Sequence, residues 1–294
     1  MDNPATARFP RRLLGGLWLV LGLVTGAVTA GECEPDNRAP AWLFCDDFDQ
    51  PPDRDDYYSL GSSDGSFVWQ ADAGVAETGA MVARWHQGQV GAGGLQLLLG
   101  ANPIATPTVG AESEKFSELY YRHYFFLQSG WRGNPHKLSR LTVLTDASWS
   151  QAMIAHLWGG KGGRLALDPV SCVGPGGKLR CVGYNDFKNM QWLGLHPGRT
   201  AVHTAEESGK WHCVETHVAL NDEGLANGYQ EFWLNDQREA LAQGLDFVGD
   251  YSEFGLNGLF IENWWNGGAP GPSVRVLDNL VVSTVRIGCA INNG

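Results

Sequence analysis

Apolar and polar residues alternate along most of the chain with the period of two that is typical of β-strands. Segments rich in aromatic and β-branched residues predict eleven strands, and clusters of Gly, Asn, Asp or Pro separate most of them. The predicted strands are Phe44–Phe48, Phe67–Gln70, Met81–Trp85, Gly94–Leu99, Leu119–Leu127, Ser139–Leu144, Gln151–Trp158, Trp211–Leu220, Tyr229–Leu234, Gly258–Trp265 and Val274–Ser283. No helix of ordinary length is predicted, and Glu239–Gln243 indicates at most a short turn. The pattern therefore predicts an all-β fold, a two-sheet antiparallel jelly-roll sandwich.

The same alternation assigns side chains to faces, because successive residues of a strand point in opposite directions. In Trp211–Leu220 the apolar Val214 and Val218 share one face, which places Glu215 and His217 on the other. Other side chains predicted to point away from the core are Tyr120, Arg122, Tyr124, His156, Trp158, Tyr229, Glu231 and Trp233. Several strands thus present an ionisable group beside aromatic rings, which is what binding and acid–base chemistry on a polysaccharide require.

Residues 1–30 have the pattern of a signal peptide. Arg8, Arg11 and Arg12 precede the apolar stretch Leu13–Val28, and small residues ending at Ala30 form a cleavage site. We expect the leader to be removed, leaving residues 31–294 as a single β-sandwich domain without a membrane segment. The mature protein is then secreted or periplasmic, and its oligomeric state is left open.

All six cysteines follow the leader, and an even number in an exported protein predicts disulfides. Cys172 and Cys181 bracket a Gly-Pro-Gly-Gly loop, so we expect them to form a local bridge. The pairing of the other four stays open. A zinc site is the competing interpretation, but no CxxC or HxxxH spacing supports it.

The formal net charge of −11 argues against general nucleic-acid binding, because phosphate contacts need a basic surface. The segment from Lys115 to His203 differs, with 11 Lys or Arg against 4 Asp or Glu. It predicts a basic cleft in an acidic body, suited to an anionic partner. The alternative is a chance cluster of charges on a solvated face.

Four blocks of residues together resemble one protein family. The blocks are Trp211–Glu215 with Asn221, Gly224, Asn227, Gly228, Glu231 and Trp233; Tyr121, Arg122 and Tyr124 with His136, Lys137 and Leu138; Glu262–Gly268; and Asp278–Asn279 with Ile287–Cys289. From roughly Phe44 to Cys289 the chain resembles the jelly-roll polysaccharide lyases of the alginate, glucuronan and heparin-lyase-I-like groups. The resemblance implies a concanavalin A-like sandwich that cleaves an acidic polysaccharide by β-elimination at a uronic acid.

That reaction needs a group that neutralises the C5 carboxylate, a base for the adjacent proton and an acid for the leaving oxygen. We expect Arg122 and Lys137 to hold the carboxylate, His156 to act as base or positioning group, and Tyr124 to donate the proton. Each has an ordinary alternative. Arg122 could pair with Glu215, Tyr124 and His156 could be packed side chains with satisfied hydrogen bonds, and Lys137 could be a solvated charge.

Two other function classes remain open. A glycoside hydrolase would use Glu215 and Glu231, whose carboxyl groups would need to lie about 5 Å apart for a retaining mechanism. A non-catalytic carbohydrate-binding module would use exposed tryptophans, including Trp264, for stacking. The residues expected to contact the glycan are Trp158, Glu215, His217, Glu231, Trp233, Asn263 and Trp265.

Acidic residues near both ends of the sandwich suggest a metal site. Asp47, which lies with Asp46 and Asp49 near the first strand, and Asp278 in the last strand are the expected ligands. Oxygen-rich sites of this kind suit a structural Ca²⁺ ion. The alternative is that these carboxylates are solvated or pair with arginines. No cofactor is expected to be required for the reaction itself.

Overall fold

Aromatic and β-branched strands dominate the computed structural model, which describes residues 31–104 and 108–290. The predicted leader lies outside these residues. Four single-turn 3-10 helices, Arg54–Asp56, Val75–Glu77, Lys161–Gly163 and Pro175–Gly177, are the helical elements of the described chain. None of its helices has the length and apolar character needed to cross a membrane.

Sixteen strands in the described residues form two antiparallel sheets. In chain order they are β1 (Trp42–Asp46), β2 (Ser59–Gly61), β3 (Phe67–Gln70), β4 (Ala80–Trp85), β5 (Gly91–Leu98), β6 (Glu118–Leu127), β7 (Lys137–Leu144), β8 (Gln151–Gly159), β9 (Leu165–Ser171), β10 (Gln191–Trp192), β11 (His196–Pro197), β12 (Trp211–Ala219), β13 (Gly228–Leu234), β14 (Gln237–Leu245), β15 (Gly258–Trp264) and β16 (Ser273–Ser283).

Each sheet contains eight strands. The first sheet has the order β14-β13-β12-β6-β16-β4-β3, and β1 also pairs with β16. The second sheet has the order β10-β9-β8-β7-β15-β5-β2, and β11 also pairs with β9. The two-sheet sandwich predicted from the hydrophobic pattern is confirmed.

Five strands were not predicted. Three of them, β2, β10 and β11, have two or three residues each, and the other two are longer segments. Glu239–Gln243 lies inside β14, so the prediction of a short turn is wrong. β14 is an edge strand and pairs only with β13. About half of its residues are exposed, so apolar and polar side chains alternate only weakly along it. The other segment, β9, carries Pro169, a residue that normally argues against a central strand because it cannot donate to the ladder.

The core lies between the sheets and follows the predicted parity. Tyr121 and Phe125 of β6 are buried in it together with Leu141 of β7, Leu157 of β8 and Ile261 of β15. Residues of opposite parity on the same strands point away from the core. The face assignments made from the sequence for β6, β8, β12 and β13 therefore agree with the packing.

A buried arginine of the first sheet reaches across the core to the second. Arg275 of β16 donates from Nε to Asn263 Oδ1 at 2.9 Å and from Nη2 to the Glu262 carbonyl at 2.6 Å. Its Nη1 also approaches the Lys137 carbonyl at 3.4 Å. The register of β15 shifts at this point, between Ile261 and Trp264 where it pairs with β7. Arg275 therefore ties the backbone of β7 and β15 where both strands are irregular.

Three disulfides join all the cysteines of the described chain. The expected bridge between Cys172 and Cys181 is confirmed. The others, whose pairing the sequence left open, are Cys33–Cys45 and Cys213–Cys289. They hold the segments near both ends of the described chain against the first sheet.

Candidate functional site

The structure does not bring together the four residues expected to carry catalysis. Arg122 and Tyr124 lie on β6 in the first sheet, whereas Lys137 and His156 lie on β7 and β8 in the second. Both pairs point away from the core, so they occupy opposite sides of the sandwich. The expected grouping is corrected for this reason: one sugar residue cannot contact both pairs.

Arg122 and Tyr124 hold segments near the ends of the chain instead. Nη1 and Nη2 of Arg122 donate to Oε1 and Oε2 of Glu32 at 2.8 and 2.7 Å, a two-pronged ion pair that is buried on the arginine side. The backbone N–H of Ala290 donates to the Tyr124 hydroxyl at 2.8 Å. Arg122 lies opposite Glu215 on the neighbouring strand, but its carboxylate partner is Glu32.

Residues 286–288 cover the Glu215 carboxylate. Its Oε1 accepts from the Ile287 N–H at 2.6 Å and its Oε2 from the Gly288 N–H at 3.1 Å. Arg286 adds a charged contact at 3.6 Å, and the carboxylate is fully buried. These contacts leave no room for Glu215 to reach a glycan, so its expected role as a substrate ligand is not supported.

The remaining expected ligands of the first sheet form a packed group on its outward face. His217 is held between Glu118 and Glu231, with ring nitrogens 2.7 and 3.2 Å from their Oε1 atoms. Trp233 lies beneath the Arg286 guanidinium, which is 4.6 Å from the ring centre. This group is on the side of the sandwich away from His156 and Lys137.

Asn263 and Trp265 point into the core, which corrects their expected role in binding the glycan. The Asn263 side chain is bonded to Arg275, and Trp265 packs against Trp85 and Trp131. Both follow the ordinary alternation of β15, in which Leu259 and Ile261 also point into the core. Trp264, of the opposite parity, is the tryptophan that faces outward, with 40% of its surface exposed.

Asp278 is buried, and backbone amides bind both of its carboxylate oxygens. Val75 donates to Oδ2 at 2.7 Å and Asn279 donates to Oδ1 at 2.8 Å. Burial raises the pKa of Asp278 to about 8, and the charges of Asp49 and Asp47 add to this effect. No group of three or more His, Cys, Asp or Glu side chains that could hold a metal occurs in the described ranges. The calcium site therefore stays a prediction.

A different set of polar and aromatic residues converges on the outward face of the second sheet. Arg140 of β7 is paired with His156 of β8, which places their Cβ atoms about 4.5–5.5 Å apart. On its other side Arg140 is paired with Phe260 of β15. Because Arg140 and His156 lie on adjacent central strands, they form the middle of the candidate site.

The Arg140 guanidinium is fully buried under a loop that follows β9. Its Nη1 donates to Asn185 Oδ1 at 2.7 Å, and its Nη2 donates to the Tyr184 hydroxyl and to Glu262 Oε1, the latter at 3.1 Å. The guanidinium also stacks on the Tyr184 ring at 4.9 Å from its centre. A guanidinium can only donate, so the Tyr184 hydroxyl accepts this bond and keeps its own proton available. Burial raises the pKa of Tyr184.

The environment of His156 fixes its tautomer. Nδ1 lies 3.0 Å from the carbonyl oxygen of Asp168, which can only accept, so Nδ1 carries the proton. Nε2 then bears the lone pair, and it has no hydrogen-bond partner among the described residues. Burial, reinforced by the charge of Arg140 and then of Lys137, lowers the pKa of His156 well below its ordinary value. The imidazole is therefore neutral at pH 7 and equipped to accept a proton.

The loop over Arg140 belongs to a stretch that we call the disulfide segment (Cys172–Trp192). Its start is closed by the Cys172–Cys181 bridge. Its middle is tied to the sheet by the Gly183 N–H, which donates to Ser150 Oγ at 2.8 Å, and by the Asn185 N–H, which donates to Gln151 Oε1 at 3.2 Å. Its end places Trp192 over the sheet, and several of its large apolar side chains are exposed: Leu179, Val182, Tyr184, Phe187 and Trp192.

Aromatic rings flank the ionisable groups on both sides. The ring centre of Trp158, one of the expected glycan ligands, lies 4.0 Å from the ring centre of His156, and that of Trp192 lies 5.9 Å from it. On the other side Lys137 Nζ is 5.0 Å from the centre of the Trp264 ring and 3.2 Å from Glu262 Oε1. Burial lowers the pKa of Lys137.

Sequence reasoning missed three of these residues as site members. Arg140 has an outward parity in a predicted strand of the basic segment, and this signal could have found it. Glu262 was noted only as part of a resembling block. Tyr184 lies in a loop, where periodicity gives no orientation, so only the structure shows that it reaches Arg140.

The fold is that of the jelly-roll polysaccharide lyases among solved structures. One similar structure is an endo-β-1,4-glucuronan lyase from the fungus Trichoderma reesei, with 12% identity over 83% of this chain and 96% of that chain and a TM-score of 0.55. Another is an alginate lyase from Aplysia kurodai, with 13% identity over 76% of this chain and 88% of that chain and a TM-score of 0.53. At such identities the likeness shows the fold alone. No family model and no curated protein matches the sequence.

Proposed function

We propose that this protein is a polysaccharide lyase that cleaves an anionic, uronate-containing glycan by β-elimination at the outward face of the second sheet. The observation that carries the proposal is the pairing of a neutral histidine, whose Nε2 has no hydrogen-bond partner in the part of the chain that the structure describes, with an arginine that is bonded to a tyrosine hydroxyl. The solved structures with the same fold include lyases that act on glucuronan and alginate.

Each step of the reaction has a residue suited to it. Arg140 and Lys137 bind the C5 carboxylate and stabilise the negative charge that develops when the C5 proton is removed. His156 Nε2 accepts that proton. The C4–O bond then breaks, and the leaving oxygen receives the proton of the Tyr184 hydroxyl. The product carries a C4=C5 double bond, and proton exchange with solvent restores His156 and Tyr184.

Substrate access requires a movement of the disulfide segment. Arg140 and His156 are fully buried, whereas Tyr184 and Trp192 are about two-fifths exposed, at 40% and 41%. The glycan reaches the two buried groups when Trp192 turns aside and the Tyr184 ring shifts far enough to uncover Arg140 while its hydroxyl stays beside the sugar. Loop movements of this kind accompany substrate binding in many enzymes.

A retaining or inverting hydrolase is less well supported. Glu215, one of its two expected carboxylates, is sealed by backbone amides. On the described strands of the second sheet the acidic residues are Asp168 of β9 and Glu262 of β15. Two strands lie between them, so their backbones are about 14 Å apart, which exceeds the carboxyl separations that glycosidases use.

Incubation with a panel of uronate polymers tests the proposal. Purified protein is mixed with alginate, glucuronan, heparin or hyaluronan, and the ultraviolet absorbance of the unsaturated product is followed. We expect absorbance to grow with at least one polymer. Reducing ends without absorbance would indicate a hydrolase, and binding without either product would indicate a binding module.

The pKa shifts predict a broad pH profile. His156 must be neutral, and because burial holds its pKa well below 6.5, kcat/KM should stay constant through pH 6.5 and fall only in more acid solution. On the alkaline side Lys137 must be charged and Tyr184 must keep its proton. Burial lowers the pKa of Lys137 and raises the pKa of Tyr184, so the shifts bring the loss of charge on Lys137 to lower pH and delay the loss of the Tyr184 proton. Initial rates across this range check the profile. An acid limb centred at 6.5 or above would contradict the role of His156.

We also propose that the protein works outside the cytoplasm. Three disulfides fit an oxidising compartment, and the first thirty residues have the pattern of a secretion signal.

A further inference from the structure

A groove next to the candidate site lies between β2, β5 and β15 and has a volume of about 240 Å³. Its floor is formed by Gly61, Gly91, Gly93 and Gly94, and Trp264 and Glu262 line its side toward Lys137. We call it the glycine groove. It is continuous with the proposed catalytic residues through Glu262, which contacts both Lys137 and Arg140.

Part of the floor of the glycine groove is bare backbone because the packing of the strands leaves no space for a Cβ atom at Gly93 and Gly94. A Cβ atom on Gly93 would lie 2.2 Å from the Gly61 carbonyl oxygen and 2.6 Å from the Cβ atom of the buried Phe67, and one on Gly94 would lie 2.3 Å from the Ile261 carbonyl oxygen. Gly93 also has a φ of +81°, which disfavours any other residue. A strand without side chains lets a ligand approach the backbone closely. A flat floor beside the exposed Trp264 ring fits a sugar ring.

The charge of the glycine groove is unusual for a protein that binds an anionic polymer. Glu262 is the only ionisable residue among the described residues that line it. Its Oε1 accepts from Lys137 and Arg140 at 3.2 and 3.1 Å, while its Oε2 is buried and has no hydrogen-bond partner in the described chain. The other polar side chains of the lining, such as Ser59 and Gln96, are neutral. Hydroxyl groups, which donate to a carboxylate, match this lining better than anions do.

We infer that the glycine groove binds a sugar residue without sulfate groups, and that Glu262 makes the enzyme select unsulfated uronates. This inference rests on the proposed function and deepens it. Once a rotation of the Glu262 side chain uncovers Oε2, a sugar hydroxyl donates to it while the ring stacks on Trp264. A sulfate in that place can only accept hydrogen bonds, so it leaves Oε2 unpaired and brings two negative charges together. Glu262 thus supplies a repulsive element that determines specificity.

The test compares oligosaccharides of a uronan with chemically O-sulfated derivatives of the same oligosaccharides. Binding is measured by calorimetry, independently of cleavage. For the unaltered protein we expect sulfation to weaken binding at least tenfold, and we expect added salt to reduce this difference because it screens the charges. In Glu262→Gln the difference should shrink to less than threefold, since the amide can donate to a sulfate.

Two variants control the comparison. Glu223→Gln removes an equal charge on the exposed loop between β12 and β13 and should keep the tenfold difference. Trp264→Ala removes the stacking surface and should weaken the binding of the sulfated and the unsulfated oligosaccharide by a similar factor. Melting curves show that each variant is folded.

The outcomes separate the inference from the proposed function. Equal or tighter binding of the sulfated ligand to the unaltered protein, or an unchanged ratio in Glu262→Gln, would overturn the inference even if the enzyme cleaves uronates. Binding with the expected ratio but no unsaturated product would overturn only the proposed function. No binding of any uronate would overturn both.

Discussion

Tyr184→Phe is expected to lower kcat about 10²–10⁴-fold, the usual contribution of a positioned general acid. The variant keeps the ring that stacks on Arg140 and removes only the hydroxyl. We therefore expect the melting temperature to change little and KM to change less than kcat. Initial rates on the uronan that the unaltered enzyme cleaves, together with a melting curve, provide the measurement.

A matched control for this variant lies on the other sheet. The Tyr229 hydroxyl donates to Glu118 Oε1 at 3.2 Å on the outward face of the first sheet. Tyr229→Phe removes a hydroxyl of the same kind and should leave kcat unchanged. If both variants lost activity equally, or if Tyr184→Phe kept full activity, Tyr184 would not be the proton donor.

Arg140→Lys is expected to lower kcat/KM about 10²–10³-fold, comparable to the loss of a donor that stabilises an oxyanion. Lysine keeps the charge, but it cannot hold Asn185, Tyr184 and Glu262 and a substrate carboxylate in one planar arrangement. The rate should therefore fall although the charge of the site is unchanged.

Arg122→Lys is the informative comparison, because the sequence made Arg122 the expected carboxylate clamp. Its two-pronged bond to Glu32 predicts a structural role. We expect the free energy of unfolding to fall by about 1–3 kcal/mol, as for the loss of a hydrogen bond between charged groups, with kcat of the folded enzyme unchanged. A large loss of kcat in Arg122→Lys with full activity in Arg140→Lys would restore the first sheet as the site.

These two arginines show how far the sequence could predict this molecule. Alternation placed Arg122 correctly on the outward face of β6, because the side-chain period of a strand is two wherever one face is buried. It could not say which sheet β6 joins. Long-range pairing decides that, and it puts His156 beside Arg140 rather than beside Arg122. The fold class and most strands were thus predictable, whereas the composition of the site was not.

The other differences have separate causes. Asn263 and Trp265 were expected to face the glycan, but alternation from the core residue Ile261 places both inward and leaves Trp264 outside. The sequence therefore carried the signal for the orientation of these two residues. Tyr184 lies in a loop, and the loop is placed by contacts with Arg140, Ser150 and Gln151 that are distant in the chain.

Contacts near both ends of the described chain have a practical consequence. Glu32 is bound to Arg122, and Cys289 is joined to Cys213, so residues 32 and 289, near the two limits of the described chain, are held on the outward face of the first sheet. A tag, a fused domain or a solid support attached at either end is therefore held on the side opposite Arg140 and His156. An immobilised preparation should leave the proposed glycan-binding surface exposed to a long polymer, whichever end carries the linker.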